Sequence, residues 1–200
     1  MSDTGSAHAA QRESFGATPG KIGMWLFLAS DAMGFMGLII AYMVLRIASP
    51  VWIPEQWQPD GALAIGLTAV MTFILICSSM TMVLALAAVR RDDQKGLVRY
   101  LGLTLLGGLT FLGLQVYEWT HLIHSGFTAP SSNYAATFFS LTGFHGAHVT
   151  SGVIYLLILF PSILKGKFSS TNHSPIELYG LFWHFVDLVW IILFTIIYLI

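Results

Sequence analysis

Five long apolar segments constrain the fold of this chain more than any other feature. A helix needs about 20 apolar residues to cross about 30 Å of hydrocarbon. The segments that reach this length are 22–45, 63–89, 98–119, 134–160 and 176–200. Because short polar links join them, we predict an all-α integral membrane bundle of five transmembrane helices. The predicted organisation is a single domain over 21–200, preceded by a disordered polar tail at 1–20.

The composition indicates a lipid environment and excludes several function classes. Hydrophobic residues make up 56% of the chain and charged residues only 10%, whereas a soluble domain carries about 25% charged residues. The net charge of −1 offers no basic surface, so no nucleic-acid partner is expected. The single cysteine, Cys77, allows neither an intrachain disulfide nor a thiolate metal site.

The basic residues predict an orientation. If the N-terminus is cytoplasmic, eight of the nine Lys and Arg residues lie inside and only Arg46 lies outside. Because cytoplasmic loops of membrane proteins are enriched in Lys and Arg, we predict a cytoplasmic N-terminus and a C-terminus outside, in the periplasm. Trp52 and Trp57 fall where an outer aromatic belt is expected.

We single out seven acid, histidine and glutamine side chains within the predicted spans. A charged group at the bilayer centre costs about 2.5–3.5 kcal/mol on insertion scales, so such residues face protein or water. They are Asp31, Gln115, Glu118, His145, His148, His184 and Asp187. On spans three, four and five they occur in pairs three residues apart, which places each pair on one helix face. We therefore predict that three polar stripes point at one another.

Several interpretations of these residues are open. The favoured one is a buried hydrogen-bond network, and the alternative is a proton or lipid-headgroup role. Glu118-x-x-His121 and His145-x-x-His148 could begin a metal site, but a di-iron bundle needs two Glu-x-x-His motifs and two further glutamates. No metal is therefore expected in this chain. Asp31, the lone acid of span one, is either functional or a structural hydrogen-bond partner.

Two further patterns concern helix structure. Gly143, Ala147 and Ser151 repeat at four-residue spacing, which favours close packing of two membrane helices. Ser174, Pro175 and Glu177 fit the N-cap, N1 and N3 positions of a capping box at the start of span five. Both patterns predict packing and helix geometry and carry no chemistry.

Two long motifs resemble subunit III of the haem-copper oxygen reductases. The first is the run ATFFSLTGFHGAHV at 136–149 with Gly152, and the second is WHFVDLVW at 183–190, preceded by Glu177. Two shorter matches are LFLASD at 26–31, where the family has a glutamate in place of Asp31, and a Gln-x-x-Glu pair at 115–118. The resemblance covers about residues 21 to 200 and is to the short five-helix bacterial form.

This resemblance implies a non-catalytic subunit of a proton-pumping terminal oxidase in the bacterial inner membrane. The complex reduces oxygen to water with electrons from cytochrome c or quinol. The expected partners are subunit I as the main contact, subunit II and membrane lipid. Haem and copper are expected in the partner subunits and none in this chain, which is expected to bind phospholipid and support proton uptake. The alternatives are an accessory protein of a nitric oxide reductase, an unrelated small transporter or proton channel, and a membrane di-metal enzyme.

Overall fold

Five long helices make up the computed structural model, which describes residues 18–52 and 65–199. The helices are α1 (Pro19–Ala48), α2 (Ile65–Arg90), α3 (Gln94–His124), α4 (Asn133–Leu164) and α5 (Ser174–Phe194). A 3₁₀ turn at Ala129–Ser131 precedes α4, and a π turn at Thr195–Leu199 continues α5. Each of the five is long and apolar enough to cross a membrane. The prediction of an all-α bundle with five membrane helices is confirmed.

The helix starts follow ordinary capping rules. α1 begins at Pro19, where the missing proline N–H costs nothing because the first turn has no intrahelical acceptor for it. Asp93 caps α3 by accepting a hydrogen bond from Gly96 N, and Ser132 caps α4 by accepting one from Ala135 N. The last two residues of the predicted tail belong to α1, and Thr18 is its N-cap. Residues 1–17 and Trp57 lie outside the described residues.

The predicted capping box of α5 is wrong. Helix α5 begins at Ser174, one residue earlier than expected, and its N-cap is His173, which makes no side-chain cap bond. The Oε1 atom of Glu177 lies 3.0 Å from Lys21 Nζ and 3.3 Å from Arg90 Nη2. Two cations attract a carboxylate more strongly than a neutral backbone N–H does. Glu177 therefore joins α5 to α1 and α2.

Helices α2 to α5 form the body of the bundle, and α1 packs against the outside of it. Neighbours in the body are α2 with α3, α3 with α4, α4 with α5, and α5 with α2, while α1 packs on α4 and α5. α1 buries only Leu28, Phe35 and Tyr42. Their seven-residue spacing places them in one stripe along the helix. Most other residues of α1 are exposed, and Asp31 is among the few that are partly buried.

Glycines set the closest helix contacts. A Cβ atom at Gly108 of α3 would lie 2.8 Å from the Trp183 ring, and one at Gly152 of α4 would lie 2.9 Å from it. A third close contact is at Gly146, where a Cβ would lie 3.0 Å from the Gln115 amide. The Trp183 ring of α5 therefore fits between α3 and α4 only because both positions lack a side chain.

Another helix of this chain does not bury the small-residue face predicted on α4, so its close packing stays a prediction. Ala147 and Ser151 are exposed, and Gly143 contacts only the Trp119 side chain. α4 carries small residues on more than one face, and four-residue spacing does not say which face turns inward. Gly146 and Gly152 are buried because bulky side chains from α3 and α5 fill the space above them.

Candidate functional site

The polar side chains within the membrane form separate links between pairs of helices. Asp31 meets His148, Glu118 meets Thr68 and Tyr198, and His184 meets Ser79. The prediction that three stripes converge in one network is therefore wrong.

The first link joins α1 to α4. His148 Nε2 lies 3.1 Å from Asp31 Oδ1 and 2.9 Å from Oδ2, and both side chains are mostly buried. On its other side, Nδ1 lies 2.7 Å from the carbonyl oxygen of Phe144. The rings of Phe35 and Phe144 flank the imidazole at 5.2 and 4.7 Å. Asp31, the lone acid of span one, thus has a partner in the first family motif, at 136–149.

Elementary hydrogen-bond rules fix how many protons this link holds. The carbonyl of Phe144 only accepts, so Nδ1 of His148 carries a hydrogen. A hydrogen bond between Nε2 and Asp31 then needs one further proton, which makes the pair either imidazolium with carboxylate or imidazole with carboxylic acid. Both forms have zero net charge, which is the cheapest state for an acid within a membrane.

The second set of links lies on α3. Glu118 is buried and accepts hydrogen bonds from Thr68 Oγ1 at 3.0 Å and from Tyr198 Oη at 3.1 Å, which joins α3 to α2 and to the C-terminal turn. Gln115 donates from Nε2 to the carbonyl of Thr142 at 2.9 Å, which joins α3 to α4. Glu118 and Gln115 thus act inside the bundle.

His145 behaves differently from the other histidines. Its ring is fully buried, lies 4.8 Å from the Trp190 ring at an angle of 31°, and meets the edge of Phe111 at 5.8 Å. Neither ring nitrogen has a hydrogen-bond partner among the described residues. The contacts of His145 among the described residues are thus aromatic, and its role in a polar network stays a prediction.

The residues considered for a metal site do not assemble. His121 is exposed on α3, whereas Glu118 faces the interior, so their spacing does not bring them to one point. Among residues 18–52 and 65–199, no group of three His, Cys, Asp or Glu side chains could hold a metal ion.

The third link joins α5 to α2. His184 Nδ1 lies 2.6 Å from Ser79 Oγ, and Asp187 lies about one turn later on α5. On the same side of α5, the indole nitrogen of Trp183 donates to Ser78 Oγ and that of Trp190 donates to Thr72 Oγ1.

The hydroxyl groups of α2 were missed by the sequence reasoning. Span two has no charged residue, so it contributed no candidate to the predicted site. Its signal was the recurrence of Thr68, Thr72 and Ser79 at intervals of four and seven residues, which places all three on one helix face. In an uncharged span, such a stripe marks the side that meets polar partners.

The fold and these links define a class: a multi-pass membrane protein whose intramembrane polar groups bind neighbouring helices together. Within that class the chain belongs to the cytochrome c oxidase subunit III family, whose model matches residues 6–200. The family resemblance predicted from the two motifs is confirmed. An unrelated transporter and a di-metal enzyme are accordingly not supported.

Relatives of two kinds match most of the chain. Cytochrome c oxidase subunit 3 of Synechocystis sp. is 42% identical over 88% of this chain and 74% of its own length. The protein of the same name from Thermostichus vulcanus is 35% identical over 89% and 86%. Quinol oxidase subunit 3 of Bacillus spizizenii is also 35% identical, over 89% and 85%.

Proposed function

We propose that this chain is the non-catalytic subunit III of a proton-pumping haem-copper terminal oxidase in the bacterial inner membrane. One observation carries the proposal. The two family motifs pack against each other in the bundle, with the ring of His145 in the first 4.8 Å from the ring of Trp190 in the second. The motifs thus build the interior of the bundle. The role of the whole subunit is to stabilise its partner, subunit I.

The division of labour in the complex follows from this proposal. Haem and copper belong to the partner subunits, with subunit I as the main contact and subunit II nearby, and the complex reduces oxygen to water. In this chain His148 is hydrogen bonded to Asp31, and His184 is hydrogen bonded to Ser79. Relatives named for cytochrome c and for quinol oxidases both match, so the electron donor follows from the partner subunits.

The Asp31–His148 pair is the group through which the chain supports proton uptake. Besides the hydrogen on Nδ1 of His148, it holds one further proton within the membrane, between α1 and α4. Both of its charge forms are neutral overall, so the proton can shift between the two side chains at little electrostatic cost. Such a pair can exchange a proton with a water or a lipid headgroup that reaches it.

A groove near the basic end supports phospholipid binding. Met24, Ser151, Tyr155, Leu178 and Phe182 are among the residues that line this space of about 300 Å³ between α1, α4 and α5. Its lining is mostly apolar, which suits an acyl chain. Lys21, about one turn before Met24, is ion-paired with Glu177 at 3.0 Å, so charged groups lie beside this end of the groove, where a headgroup would lie.

The experiment that tests the proposal is purification of the tagged chain in mild detergent, with a reduced-minus-oxidised spectrum and identification of the co-purified subunits. We expect haem a-type or b-type bands together with a large partner subunit, and a colourless chain once that partner is removed. A chain that purifies alone and colourless contradicts the proposal, as does metal retained by the separated chain.

A further inference from the structure

Three polar contacts hold helix α1 against the outside of the bundle. Lys21 is ion-paired at the basic end, and Asp31 meets His148 in the middle. Near the other end, Tyr42 Oη donates to the carbonyl oxygen of Ile196 at 3.2 Å. The three α1 residues are 10 and 11 positions apart, about three turns of helix each. Because α1 buries only three side chains, these contacts determine much of its position.

The third contact reaches the π turn Thr195–Leu199, which continues α5. Carbonyl groups in the last turn of a helix have no intrahelical donor, and within a membrane they need donors from the protein itself. Two phenols supply them. Tyr42 of α1 donates to Ile196, and Tyr134 of α4 donates to the carbonyl oxygen of Ile197 at 3.3 Å. The turn thus accepts hydrogen bonds from two neighbouring helices.

The same turn is fixed to the body of the bundle through Glu118. Tyr198 Oη donates to Glu118 Oε1 at 3.1 Å, and Thr68 of α2 donates to the same atom at 3.0 Å. The Tyr198 ring also meets the edge of Phe138 of α4, with 5.8 Å between ring centroids. A continuous series of contacts therefore runs from α2 and α3, through the turn, to Tyr42 of α1.

The phenols that hold the turn are shielded from water. Tyr42 and Tyr134 are each only 1% exposed. The ring of Trp52 meets the edges of both, at 5.2 and 5.6 Å between centroids. A buried hydroxyl that loses its partner cannot turn to water, so breaking these hydrogen bonds is costly.

We propose that the turn Thr195–Leu199 is a clasp that positions α1 and thereby holds Asp31 against His148. Tyr42 and Tyr198 are then positioning residues, which do not touch the pair and act on it through α1. The helix is continuous from one contact to the next, so a displacement at Tyr42 is carried along it to Asp31. The inference rests on the proposed role of this pair in proton uptake. The position of α1 can be measured without that role, so the two can fail separately.

Distances between spin labels in the purified complex test the clasp. In a Cys77→Ser background, labels at Ile47→Cys of α1 and Ile123→Cys of α3 report where this end of α1 lies, and both positions are exposed, by 85% and 49%. We expect Tyr42→Phe and Tyr198→Phe each to broaden the distance distribution. Tyr198 hydrogen bonds to α3, so its effect on α1 has to pass through the turn.

The matched control is Tyr117→Phe. Tyr117 is 64% exposed, and its hydroxyl makes no hydrogen bond within the described residues 18–52 and 65–199. We expect this variant to keep the wild-type distance distribution. An unchanged distribution in Tyr198→Phe overturns the clasp, as does equal broadening in the control.

Proton uptake by the intact oxidase separates positioning from a merely structural role. We expect the pH profile of Tyr198→Phe to move toward that of Asp31→Asn, and the profile of Tyr117→Phe to stay with the wild type. Haem content and co-purified subunits are measured on the same samples. A wild-type profile in Tyr198→Phe, in a complete complex, overturns the positioning role and leaves the proposed function intact. Loss of the chain from the complex in both Tyr42→Phe and Tyr198→Phe also overturns it, because the contacts then serve assembly.

Discussion

Asp31 and His148 show what a single residue contributes within the membrane. They are 117 positions apart, yet their side chains meet, and the Phe144 carbonyl fixes the hydrogen on the far nitrogen of the ring. The pair therefore depends on a shared proton. Replacing the acid by its amide keeps the hydrogen bond but removes the shared proton. The amide N–H can donate to the free nitrogen of a neutral imidazole.

Asp31→Asn should therefore leave assembly intact and alter proton uptake or the turnover lifetime of the oxidase. Asp31→Leu should in addition lower assembly, because it leaves His148 without a partner at a cost of about 1–3 kcal/mol. The measurement is the rate of proton uptake and the inactivation half-life of the purified oxidase as a function of pH. Wild-type pH dependence and inactivation in Asp31→Asn contradict a functional role for the acid.

His145 should tolerate an apolar replacement of similar size. No hydrogen bond is lost in His145→Leu, so we expect a change of less than about 1.5 kcal/mol in stability. His145→Ala leaves a cavity against Trp190 and Phe111 and should cost about 2–5 kcal/mol. Thermal unfolding of the purified complex measures both. A larger loss for Leu than for Ala contradicts an aromatic packing role.

At the residue scale, the sequence predicted which side chains are unusual but not what they touch. An acid or histidine within an apolar span is visible in the sequence because its insertion cost is high. Its partner depends on helix order and rotation, as with Asp31 and His148. The partner hydroxyls, such as Ser79 and Thr68, are cheap to bury and therefore leave only a weak signal in the sequence.

Among the helices, the glycines of α3 provide a matched comparison. A Cβ at Gly108 would lie 2.8 Å from Trp183 and 2.9 Å from Val153, whereas one at Gly113 meets nothing within 4 Å. We expect Gly108→Ala to destabilise the bundle by about 1–3 kcal/mol through overpacking. Gly113→Ala should be neutral or stabilising by up to about 1 kcal/mol, because alanine favours helix. Thermal unfolding that ranks the two variants in the opposite order contradicts this packing.

A hydrogen bond outside the membrane connects two of the loops that join consecutive helices. Asp92, at φ 57° in the turn between α2 and α3, accepts the Ser170 N–H at 2.7 Å from the link between α4 and α5. This hydrogen bond lowers the pKa of the exposed Asp92 carboxyl. Because the pKa is lower in the folded than in the unfolded state, the ionised carboxyl stabilises the fold at any pH above its unfolded-state pKa. That stabilisation is lost below about pH 4, as pH falls through the folded-state pKa.

Asp92→Ala should therefore expose the link between α4 and α5 to trypsin at Lys165 and Lys167 at neutral pH. Asp92→Asn is the control, because asparagine tolerates the left-handed backbone and keeps an accepting oxygen without a charge. We expect the Asn variant to resist cleavage as the wild type does. The measurement is the cleavage rate in membranes opened on that side. Equal rates in the Ala and Asn variants contradict the role of the Asp92 contact.

The helix positions were predictable because each membrane helix satisfies its own backbone hydrogen bonds, so length and apolarity suffice to define it. The predicted start of span three, 98, moved to Gln94 because Asp93 provides a cap. The inward face of α4 was not predictable in the same way. Gly146 and Gly143 are equally small, and only the Gln115 amide above Gly146 decides which of them is buried.

For the whole molecule, the charged groups gather at one end of the bundle. The ion pairs of Glu177 with Lys21 and Arg90, and the bond between Asp92 and Ser170, place the start of α1, the α2–α3 turn and the α4–α5 link together. That end holds most of the basic residues, so it is the end that the positive-inside rule assigns to the cytoplasm. The opposite end carries the 3₁₀ turn at Ala129–Ser131.

Single cysteines at the two ends test this orientation. In a Cys77→Ser background, Ser131→Cys and Thr171→Cys each add one thiol at an exposed position, at opposite ends of the bundle. A membrane-impermeant maleimide should label Ser131→Cys in intact spheroplasts and should label Thr171→Cys only after lysis, because eight of nine basic residues hold the other end inside. Labelling in the reverse order contradicts the predicted topology.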